Sequence, residues 1–419
     1  MKFLVWGLGK SGKAAVRLLQ SKGYTVYFGD DKENPELWRE VLREVDVVVL
    51  SPGIPPSHPL WREAESLGKE VIGETELAYR FFKGEVIAIT GTDGKSTTTR
   101  LTYLILKEFL PKVYEGGNIG TPFSEIVLDH EEGIAVLEVS SFQGKTLKTF
   151  RPNVGAFISF ARDHLDWHPD LEDYLKSKYK IFQNQRPEDL LILNDYVEEI
   201  KKTPSRAKKI YLSELKISEN EVSYRGKKLF NPKNLKIRGF HNVINASIAS
   251  LIALSYGIEP KEFEEVLYSF RGLPYRLEFM GKVKGLEVYN DAKSTTVNAL
   301  ISALKSFESE RIILIVGGKD KGDDFRAAIP YMQNVKLVLA IGETREKIRE
   351  AFKDFVEVIT CGSLEEAVDR AFEREEEGEV LLFSPACSSF DMFSNYVERG
   401  ERFKELIEKK RREGLHTEV

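Results

Sequence analysis

A short stretch at about one quarter of the chain combines two glycines, a lysine and several hydroxyls. It reads TGTDGKST, begins at Thr90 and follows the apolar run EVIAI. Two residues separate Gly91 from Gly94, where the common phosphate loop has four. Backbone N–H groups at such a turn attract phosphate oxygens, Lys95 would contact the β and γ phosphates, and Ser96 would offer its hydroxyl to Mg²⁺. The stretch predicts an ATP site, with an ordinary strand–turn–helix junction as the alternative.

A second glycine pattern, GLGKSG, follows the apolar stretch KFLVW at the start of the chain. It is the dinucleotide-binding fingerprint, and acidic residues follow it about twenty positions later. Alone it indicates NAD or FAD, or a glycine turn without a ligand. An NAD site beside an ATP loop is an unusual pair. A nucleotide-containing substrate, held by its diphosphate and contacted at its base by Asp30, Asp31 and Lys32, explains both patterns.

Two polar stretches follow apolar strands in the middle of the chain. EVSSFQ places Glu138 at a strand end, where its carboxylate could hold Mg²⁺, and the alternative is a helix capped by Ser140 or Ser141. ARDHLDWH holds two histidines and two aspartates from Ala161 to His168, without the further soft ligands of a zinc site. A histidine near Mg²⁺ and a solvent-facing polar loop are the two interpretations, and the residues alone favour the loop.

The last third of the chain has four polar stretches near predicted strand ends: LPYRLE, YNDAKST, GGKDKGDDF and SPACSSFDMF. Asp291 and Lys293 lie just past one strand, where ligands bind in parallel sheets. Each stretch alone could be a turn. Together, on one edge of a sheet, they indicate a site.

The elements that must position these residues alternate between strands and helices, which predicts α/β domains with helices on both faces of the sheets. We expect three domains: a Rossmann-like N-terminal domain that binds substrate (1–82), a P-loop ATP-binding domain with a mostly parallel sheet (83–272) and a Rossmann-like C-terminal domain (273–419). A hairpin is predicted at Arg225–Gly226. Helices are predicted over residues 242–256 and 260–270.

Composition narrows the class of protein. The chain has 419 residues, 42% hydrophobic and 30% charged, with a net charge of −5. This argues against a nucleic-acid or membrane-surface protein, because no excess of basic residues exists to neutralise phosphates. No apolar run approaches a membrane span, and the two cysteines suit a reducing cytoplasm.

Nine motifs, taken in chain order, resemble those of Mur ligases: TGTDGKST, GGNIG, EVSSFQ, DHLDWH, GFHNVINA, LPYRLE, NDAKST, GGKDKG and SPACSSFDMFSNYVERG. The resemblance runs from Gly7 to Gly400, and the short phosphate loop is itself typical of Mur and folylpolyglutamate ligases. NDAKST and SPACSSFD resemble the branch that adds D-glutamate. The Asp-Tyr-Ala-His stretch of the branches that add L-alanine or a diamino acid, and the Asp-Asn-Pro-Arg signature of the latter, are absent from the sequence. Asp93 departs from the family, where Asn is commoner.

The resemblance implies an ATP-dependent carbon–nitrogen ligase that adds D-glutamate to UDP-N-acetylmuramoyl-L-alanine through an acyl phosphate, during peptidoglycan precursor synthesis in the cytoplasm. It also implies two Mg²⁺ ions, small-molecule partners without nucleic acid or membrane, and a monomer.

The family's functional residues carry over as follows. The UDP-substrate contacts are Gly9, Ser11, Asp30, Asp31, Lys32, Ser51, Gly53 and Asn118. The ATP contacts are Gly91, Thr92, Asp93, Gly94, Lys95, Ser96, Thr97, Asn242, Asn245, Arg276 and Asp291. The D-glutamate contacts are Lys293, Thr295, Lys321, Ser389, Phe390 and Tyr396. The metal-site residues are Ser96, Glu138 and His164, with Lys95 and His164 also expected to serve catalysis.

Mur ligases also carry a lysine that CO₂ converts to a carbamate, which helps to hold the second Mg²⁺. By its position relative to the motifs, Lys178 in YLKSKYKIF resembles this catalytic lysine. The nearby Lys176 and Lys180 are the alternatives. The residues themselves do not mark it, because a lysine on a polar helix is normally solvated.

Three other functions compete with this interpretation. A folylpolyglutamate synthase shares the ATP loop, but it does not need the N-terminal glycine unit. An NAD-dependent oxidoreductase would use that unit and would bind NADH. A regulatory P-loop NTPase would hydrolyse ATP without any amino acid.

Overall fold

The computed structural model describes residues 1–118, 120–161 and 163–415. The chain divides into two compact units. The first unit takes Met1–Asn234 and Val243–Leu267, and the second takes Leu235–Asn242 and the described residues from Tyr268 onward.

The first unit begins with a four-stranded parallel sheet in the order β2-β1-β3-β4. Its strands are β1 (Lys2–Trp6), β2 (Thr25–Gly29), β3 (Val47–Leu50) and β4 (Glu70–Gly73). Its helices are α1 (Lys10–Ser21), α2 (Leu37–Val41), α3 (Pro59–Ser66) and α4 (Glu74–Phe81). The side chains of β3 are all buried, as expected for a parallel strand covered on both faces.

A second, six-stranded sheet in this unit is also wholly parallel, in the order β10-β9-β8-β5-β7-β6. Its strands are β5 (Glu85–Thr90), β6 (Val113–Gly117), β7 (Ile134–Glu138), β8 (Val154–Phe157), β9 (Leu190–Leu193) and β10 (Lys208–Tyr211). Its helices are α5 (Lys95–Phe109), α6 (Phe123–Asp129), α7 (Ser141–Lys145), α8 (Leu171–Tyr179) and α9 (Glu198–Lys201). The connection from β5 runs to one side of the sheet and that from β7 to the other, so the carboxyl end of β5 is a switch point where ligands bind.

A small antiparallel sheet follows, with strands β11 (Leu215–Ile217), β12 (Val222–Tyr224) and β13 (Lys227–Phe230). The predicted hairpin turn is confirmed, because Arg225 and Gly226 both have positive φ, at 50° and 77°. Strand β11 was not predicted. The two predicted helices are confirmed as α10 (Phe240–Ser255) and α11 (Pro260–Ser269).

The second unit contains a six-stranded sheet in the order β14-β15-β19-β16-β17-β18. Its strands are β14 (Glu278–Val283), β15 (Leu286–Asn290), β16 (Ile312–Gly317), β17 (Val335–Ile341), β18 (Glu357–Thr360) and β19 (Val380–Phe383). Its helices are α12 (Val297–Lys305), α13 (Arg345–Phe352), α14 (Leu364–Glu373) and α15 (Tyr396–Leu415). All pairs are parallel except β14 with β15, an antiparallel edge that was not predicted.

The described part of the chain also contains five short 3₁₀ segments, at Lys180–Phe182, Leu212–Glu214, Pro232–Asn234, Phe325–Tyr331 and Glu375–Glu377. Within the described residues, no helix has the length and apolar character needed to cross a membrane. The predicted α/β class with parallel sheets is confirmed, and the three domain ranges stay a prediction.

Candidate active site

The glycine loop lies at the carboxyl end of β5, the switch point of the central sheet. Gly94 has a φ of 84° and directly precedes α5, which begins at Lys95. A Cβ on Gly91 would come within 2.7 Å of Ile158 Cγ1, so a larger residue there would displace the strand end beside it. The loop therefore presents backbone N–H groups at the start of a 15-residue helix, the arrangement that binds phosphate.

Two lysine side chains converge on this loop. Lys95 Nζ donates to Gly91 O at 2.8 Å, and Lys178 Nζ donates to the same oxygen at 2.7 Å. Lys178 is 1% exposed, and its second partner is Thr90 Oγ1 at 3.3 Å. Burial, and then the positive charge of Lys95, hold the pKa of Lys178 well below its usual value.

The expectation that a lysine on this helix would be solvated is wrong for Lys178. The expectation is correct for the two alternative lysines, Lys176 and Lys180, which are both exposed. Lys176 pairs with Glu172 at 2.8 Å, and Lys180 donates to Lys145 O at 3.1 Å. Among these three lysines, Lys178 is the one that the helix turns towards the loop.

The carboxylate at the end of β7 joins the same site. Glu138 is 4% exposed, and its Oε2 accepts from Ser96 Oγ at 2.8 Å. Asn118, which the resemblance assigns to the substrate, donates its backbone N–H to Glu138 O at 2.8 Å. A hydroxyl and a carboxylate at this distance provide the oxygen ligands that Mg²⁺ prefers. In the described ranges, no group of three or more His, Cys, Asp or Glu residues could hold a metal.

Ser159 and Tyr174, which were not predicted, and Asn245, which was, contact the phosphate loop. Ser159 Oγ accepts from Asp93 N at 2.9 Å and donates to Asp93 O at 2.6 Å. Thr92 Oγ1 lies 2.9 Å from Tyr174 Oη, on the helix that carries Lys178. Asn245 also lies against the loop, since a Cβ on Gly94 would come within 2.8 Å of Asn245 Oδ1.

The stretch with two histidines divides into an exposed part and a buried part. His164 is partly exposed, has a φ of 52°, and its ring packs edge-on against Phe142. His168 is 1% exposed, so the expectation of a solvent-facing loop is wrong there. Its Nε2 lies 2.8 Å from Ser141 Oγ and its Nδ1 lies 2.6 Å from Asp173 Oδ2.

This Ser141–His168–Asp173 relay ties the segment that follows Glu138 to the helix that carries Lys178. Lys145 completes it with an ion pair to Asp173 at 2.6 Å. Burial outweighs the neighbouring carboxylate and lowers the pKa of His168. The capping alternative for EVSS is confirmed as well, because Ser140 caps α7.

The N-terminal glycine pattern forms a tight strand–turn–helix junction. A Cβ on Gly12 would lie 1.7 Å from Gly7 O, so only glycine fits. Gly9 is the N-cap residue of α1, and Ser11 lies in its first turn. Ser51 Oγ donates to Gly7 O at 2.6 Å, which brings this predicted substrate residue to the glycine turn.

The acidic pair at the end of β2 has structural partners. Asp30 Oδ1 accepts from the backbone N–H groups of Lys32 and Glu33, at 3.0 and 3.1 Å. Asp31 lies 3.0 Å from His58 Nε2 and accepts from Trp6 Nε1 at 3.1 Å. His58, which the sequence did not single out, therefore orients Asp31.

A small pocket lies between the N-terminal sheet and α7, and Leu50, Ser51, Pro52 and Ile54 line one side of it. Three polar atoms among its lining residues have no hydrogen-bond partner in the described structure: Glu74 Oε2, Gln143 Nε2 and Trp167 Nε1. Burial raises the pKa of Glu74 to about 7. Buried groups without partners cost about 1–3 kcal/mol each, so this pocket suits water or a polar group of a ligand.

In the second unit, Asp291 lies at the end of β15. Its Oδ2 accepts from Ser384 Oγ at 2.8 Å and its Oδ1 from Leu277 N at 2.9 Å. Burial raises the pKa of Asp291 to about 7, and the charge of Arg276 opposes that shift. Asn242, a further predicted ATP residue, donates its side-chain amide to Arg238 O at 2.7 Å.

In the second unit, the structure shows contacts between some of the segments that carry the residues predicted to bind the amino acid. Lys293 Nζ lies 5.7 Å from the centre of the Tyr396 ring. Ser389 is buried, whereas Phe390 is 65% exposed. An isolated β-bridge joins the glycine loop that carries Lys321 to the serine-rich stretch. Thr295 precedes α12, whose N-cap is the next residue.

Two family models match the chain. The Mur ligase middle domain matches residues 89–253, and the Mur ligase, glutamate ligase domain matches residues 275–387. The UDP-N-acetylmuramoylalanine–D-glutamate ligase of Aquifex aeolicus is 70% identical, covering 97% of this chain and 99% of its own length. This chain belongs to the Mur ligase family. The enzyme of the same name from Hydrogenobaculum sp. is 51% identical, covering 98% of this chain and 99% of its own length.

Solved Mur ligases have the same fold. The UDP-N-acetylmuramate–alanine ligase of Thermotoga maritima matches with a TM-score of 0.57 and 22% identity, covering 98% of this chain and 99% of the other. The MurF ligase of Thermotoga maritima, solved in complex with ADP, matches with a TM-score of 0.57 and 18% identity. The match covers 89% of this chain and 97% of the other. As a Mur ligase, the chain is an ATP-dependent ligase.

Sequence reasoning missed several residues of this Mur ligase site. His168 had a signal, because it recurs four residues after His164 with aromatic residues around it. Ser159 and Tyr174 had no signal, because a hydroxyl after a strand and a tyrosine on a helix are common in every fold.

Proposed function

We propose that this Mur ligase joins D-glutamate to UDP-N-acetylmuramoyl-L-alanine by an amide bond, at the expense of ATP, as a cytoplasmic monomer in peptidoglycan precursor synthesis. The observation that carries the proposal is the convergence of Lys95 and Lys178 on the phosphate loop beside the Ser96–Glu138 pair. The relatives at 70% and 51% identity, both named for D-glutamate addition, support the choice of amino acid.

ATP is proposed to bind at the loop from Gly91 to Thr97. Backbone N–H groups at the start of α5 would hold the β and γ phosphates, and Lys95 would exchange its bond to Gly91 O for a phosphate oxygen. Asn245 lies against this loop and would border the nucleotide. The other proposed nucleotide contacts are Asn242, Arg276 and Asp291.

The donor set beside the loop fits Mg²⁺. Ser96 Oγ and Glu138 Oε2 lie 2.8 Å apart, both beside the phosphates of the proposed nucleotide. We assign the metal site to these two residues and extend it with His164 and Lys178. When bound, Mg²⁺ would neutralise charge on the phosphate oxygens during transfer.

Lys178 is proposed to react with CO₂. Its depressed pKa leaves a larger neutral fraction of the amine than an ordinary lysine has. The neutral amine attacks the carbon of CO₂, an N–C bond forms, and one proton leaves the nitrogen for solvent. The resulting carbamate bears one negative charge, which places a buried anion beside Lys95.

The reaction is proposed to proceed in two steps. The carboxylate of the UDP-sugar substrate attacks the γ-phosphorus, the bond to the β,γ-bridging oxygen breaks, and ADP leaves. The neutral amine of D-glutamate then attacks the acyl carbon, and inorganic phosphate leaves as the amide forms. Lys95 stabilises the transferring phosphoryl group, and His164 is the proposed acceptor of the amine proton.

The UDP-substrate is proposed to bind along the carboxyl ends of the N-terminal sheet, at Gly9, Ser11, Asp30, Asp31, Lys32, Ser51, Gly53 and Asn118. Ser51 and Asn118 lie at the two ends of this proposed binding site, since Ser51 contacts the glycine turn and Asn118 contacts Glu138. The carboxylate that reacts would therefore lie at the Asn118 end.

D-Glutamate is proposed to bind at Lys293, Thr295, Lys321, Ser389, Phe390 and Tyr396. Two lysines suit an amino acid with two carboxylates. We also propose three domains, over residues 1–82, 83–272 and 273–419, for substrate, ATP and amino acid respectively.

Release of phosphate from ATP and Mg²⁺ tests the proposal, in the presence of UDP-N-acetylmuramoyl-L-alanine and one of D-Glu, L-Glu, L-Ala, L-Lys or diaminopimelate. We expect release with D-Glu alone, and a product heavier by one glutamyl residue. Release with another amino acid would keep the ligase and overturn the D-glutamate assignment. Release without the UDP-sugar would contradict the proposed substrate site.

A further inference from the structure

Arg399, on α15, is a fully buried arginine without a carboxylate partner. It is 0% exposed. Its Nη1 donates to Cys387 O at 2.8 Å, and its Nη2 donates to Ala292 O at 2.7 Å and Ser294 O at 3.4 Å. Its Nε has no hydrogen-bond partner in the described structure.

The hydrogen bonds of Arg399 therefore all go to backbone carbonyls, and the carboxylates of Asp391 and Asp291 act on its charge from beyond ion-pair distance. Among the described residues, no carboxylate oxygen lies within 4 Å of its guanidinium, whereas Arg374 and Arg402 of the same unit both have such a partner. Burial lowers the pKa of Arg399 to about 10, so the group is still charged at neutral pH. A buried, unpaired cation is costly to a fold, and an anion bound close by would offset that cost.

The position of Arg399 connects it to the proposed amino-acid pocket. Ala292 and Ser294 flank Lys293, and Cys387 lies two residues before Ser389. A Cβ on Gly318 would come within 3.3 Å of Arg399 Nη1, so the guanidinium also touches the start of the loop that carries Lys321. The Arg399 side chain thus contacts the segments that follow β15, β16 and β19, and these segments contain Lys293, Lys321 and Ser389 of the proposed amino-acid site.

We propose that Arg399 is a positioning residue for the amino-acid substrate: it fixes the two loops around Lys293 and Ser389 and supplies a permanent positive charge beneath a ligand with two carboxylates. The inference rests on the proposed function, and it adds a residue that touches the pocket loops and not the ligand. The three donated hydrogen bonds set the geometry of the loops, and the unpaired charge favours the net negative charge of glutamate.

The test compares Arg399→Gln, Arg399→Lys and a matched control, Arg374→Gln, in the full-length enzyme. Arg374 lies in the same unit and pairs with Glu357 and Glu377, away from the pocket loops. For each variant, KM for D-Glu, KM for ATP, KM for the UDP-sugar, kcat and Tm are measured.

We expect Arg399→Gln to raise KM for D-Glu about tenfold, with kcat and the other two KM values within about threefold of wild type. Arg399→Lys keeps the charge and loses the forked geometry, so it should raise KM for D-Glu about threefold. Arg374→Gln should leave every KM unchanged, even where its Tm falls.

An unchanged KM for D-Glu in Arg399→Gln, or an equal rise in KM for ATP, would overturn the inference. If Arg399→Gln does not fold, an unchanged KM for D-Glu in Arg399→Lys would overturn it. A wild-type enzyme that releases no phosphate with D-Glu would instead overturn the proposed function, so the two failures are distinguishable.

Discussion

Lys95 and Lys178 donate hydrogen bonds to the same backbone oxygen, that of Gly91. One lysine comes from the phosphate loop and the other from α8, and the second is completely enclosed. Two like charges that share one acceptor repel each other, and this repulsion adds to burial in lowering the pKa of Lys178. The arrangement favours the neutral, nucleophilic form of Lys178 and places Lys95 where it can contact phosphate.

Lys178→Arg tests whether this lysine becomes a carbamate. Enzyme equilibrated with ¹³C-labelled CO₂ should show a carbamate carbon signal in ¹³C NMR, and the Arg variant should lose it because guanidinium does not add CO₂. Ligase activity of the variant should fall by at least about 100-fold, since the metal site loses a ligand.

Lys176→Arg and Lys180→Arg are the matched controls. Both lysines lie on the same segment and are exposed, so both variants should keep the carbamate signal and the activity. A signal that survives in Lys178→Arg and vanishes in a control would move the assignment to that control's residue.

Ser96→Ala tests the metal site. It removes the hydroxyl that contacts Glu138, so the Mg²⁺ concentration for half-maximal activity should rise about tenfold or more. Thr98→Val is the control, because Thr98 lies on the same helix, is buried and has a hydroxyl without a partner in the described structure. If the two variants required the same Mg²⁺ concentration, Ser96 would not be a ligand.

The sequence predicted those features in which the local backbone conformation or burial requires one particular residue type. The glycines at positions 91 and 94 predicted the loop because close approach and positive φ require them, and the Arg225–Gly226 turn followed from the same rule. Continuous apolar runs predicted the strands of the parallel sheets, since such strands are buried on both faces.

Tertiary packing decided the features that the sequence did not predict. The burial of Lys178 depends on how α8 packs against α7 and on contacts with Thr90 and Gly91 at the end of β5, and no periodicity within YLKSKYKIF distinguishes it from Lys176. The partners of His168 come from α7 and α8, and the carbonyls around Arg399 come from two separate loops. Strand β14 pairs antiparallel at an edge, where alternation of strand and helix does not apply.

His168→Phe tests the buried relay. It leaves Ser141 Oγ without its histidine partner and leaves Asp173 with Lys145 as its remaining side-chain partner, so the free energy of unfolding should fall by roughly 2–4 kcal/mol at pH 7. His130→Gln is the control, because His130 is exposed. Urea denaturation measures both, and equal stability of the two variants would contradict a structural relay.

The relay also has a pH signature. Burial lowers the pKa of His168 in the folded chain, so below about pH 6.5 the unfolded chain takes up a proton that the folded chain does not. Stability should therefore fall as pH falls below about 6.5, and His168→Phe should weaken that dependence.

Two buried glutamates on α4 should respond oppositely to neutralisation. Glu76 accepts three backbone N–H groups and the guanidinium of Arg80, so Glu76→Gln should lower the free energy of unfolding by about 2 kcal/mol or more. Glu74 accepts only one backbone N–H, from Ser124, and burial raises its pKa from 4.5 to about 7. The folded chain therefore holds a proton on Glu74 that the unfolded chain releases between about pH 4.5 and 7.

Stability linked to Glu74 is fully present below about pH 4.5 and is lost as the pH rises through about 7. Glu74→Gln stays neutral, so it should be the more stable protein at pH 8, by up to about 3 kcal/mol, and should match wild type near pH 4.5. Urea denaturation from pH 4.5 to 8 measures the difference. A gap between the two proteins that does not change with pH would mean that Glu74 is already ionised in the folded chain, with a water or ion in the adjoining pocket satisfying its second oxygen.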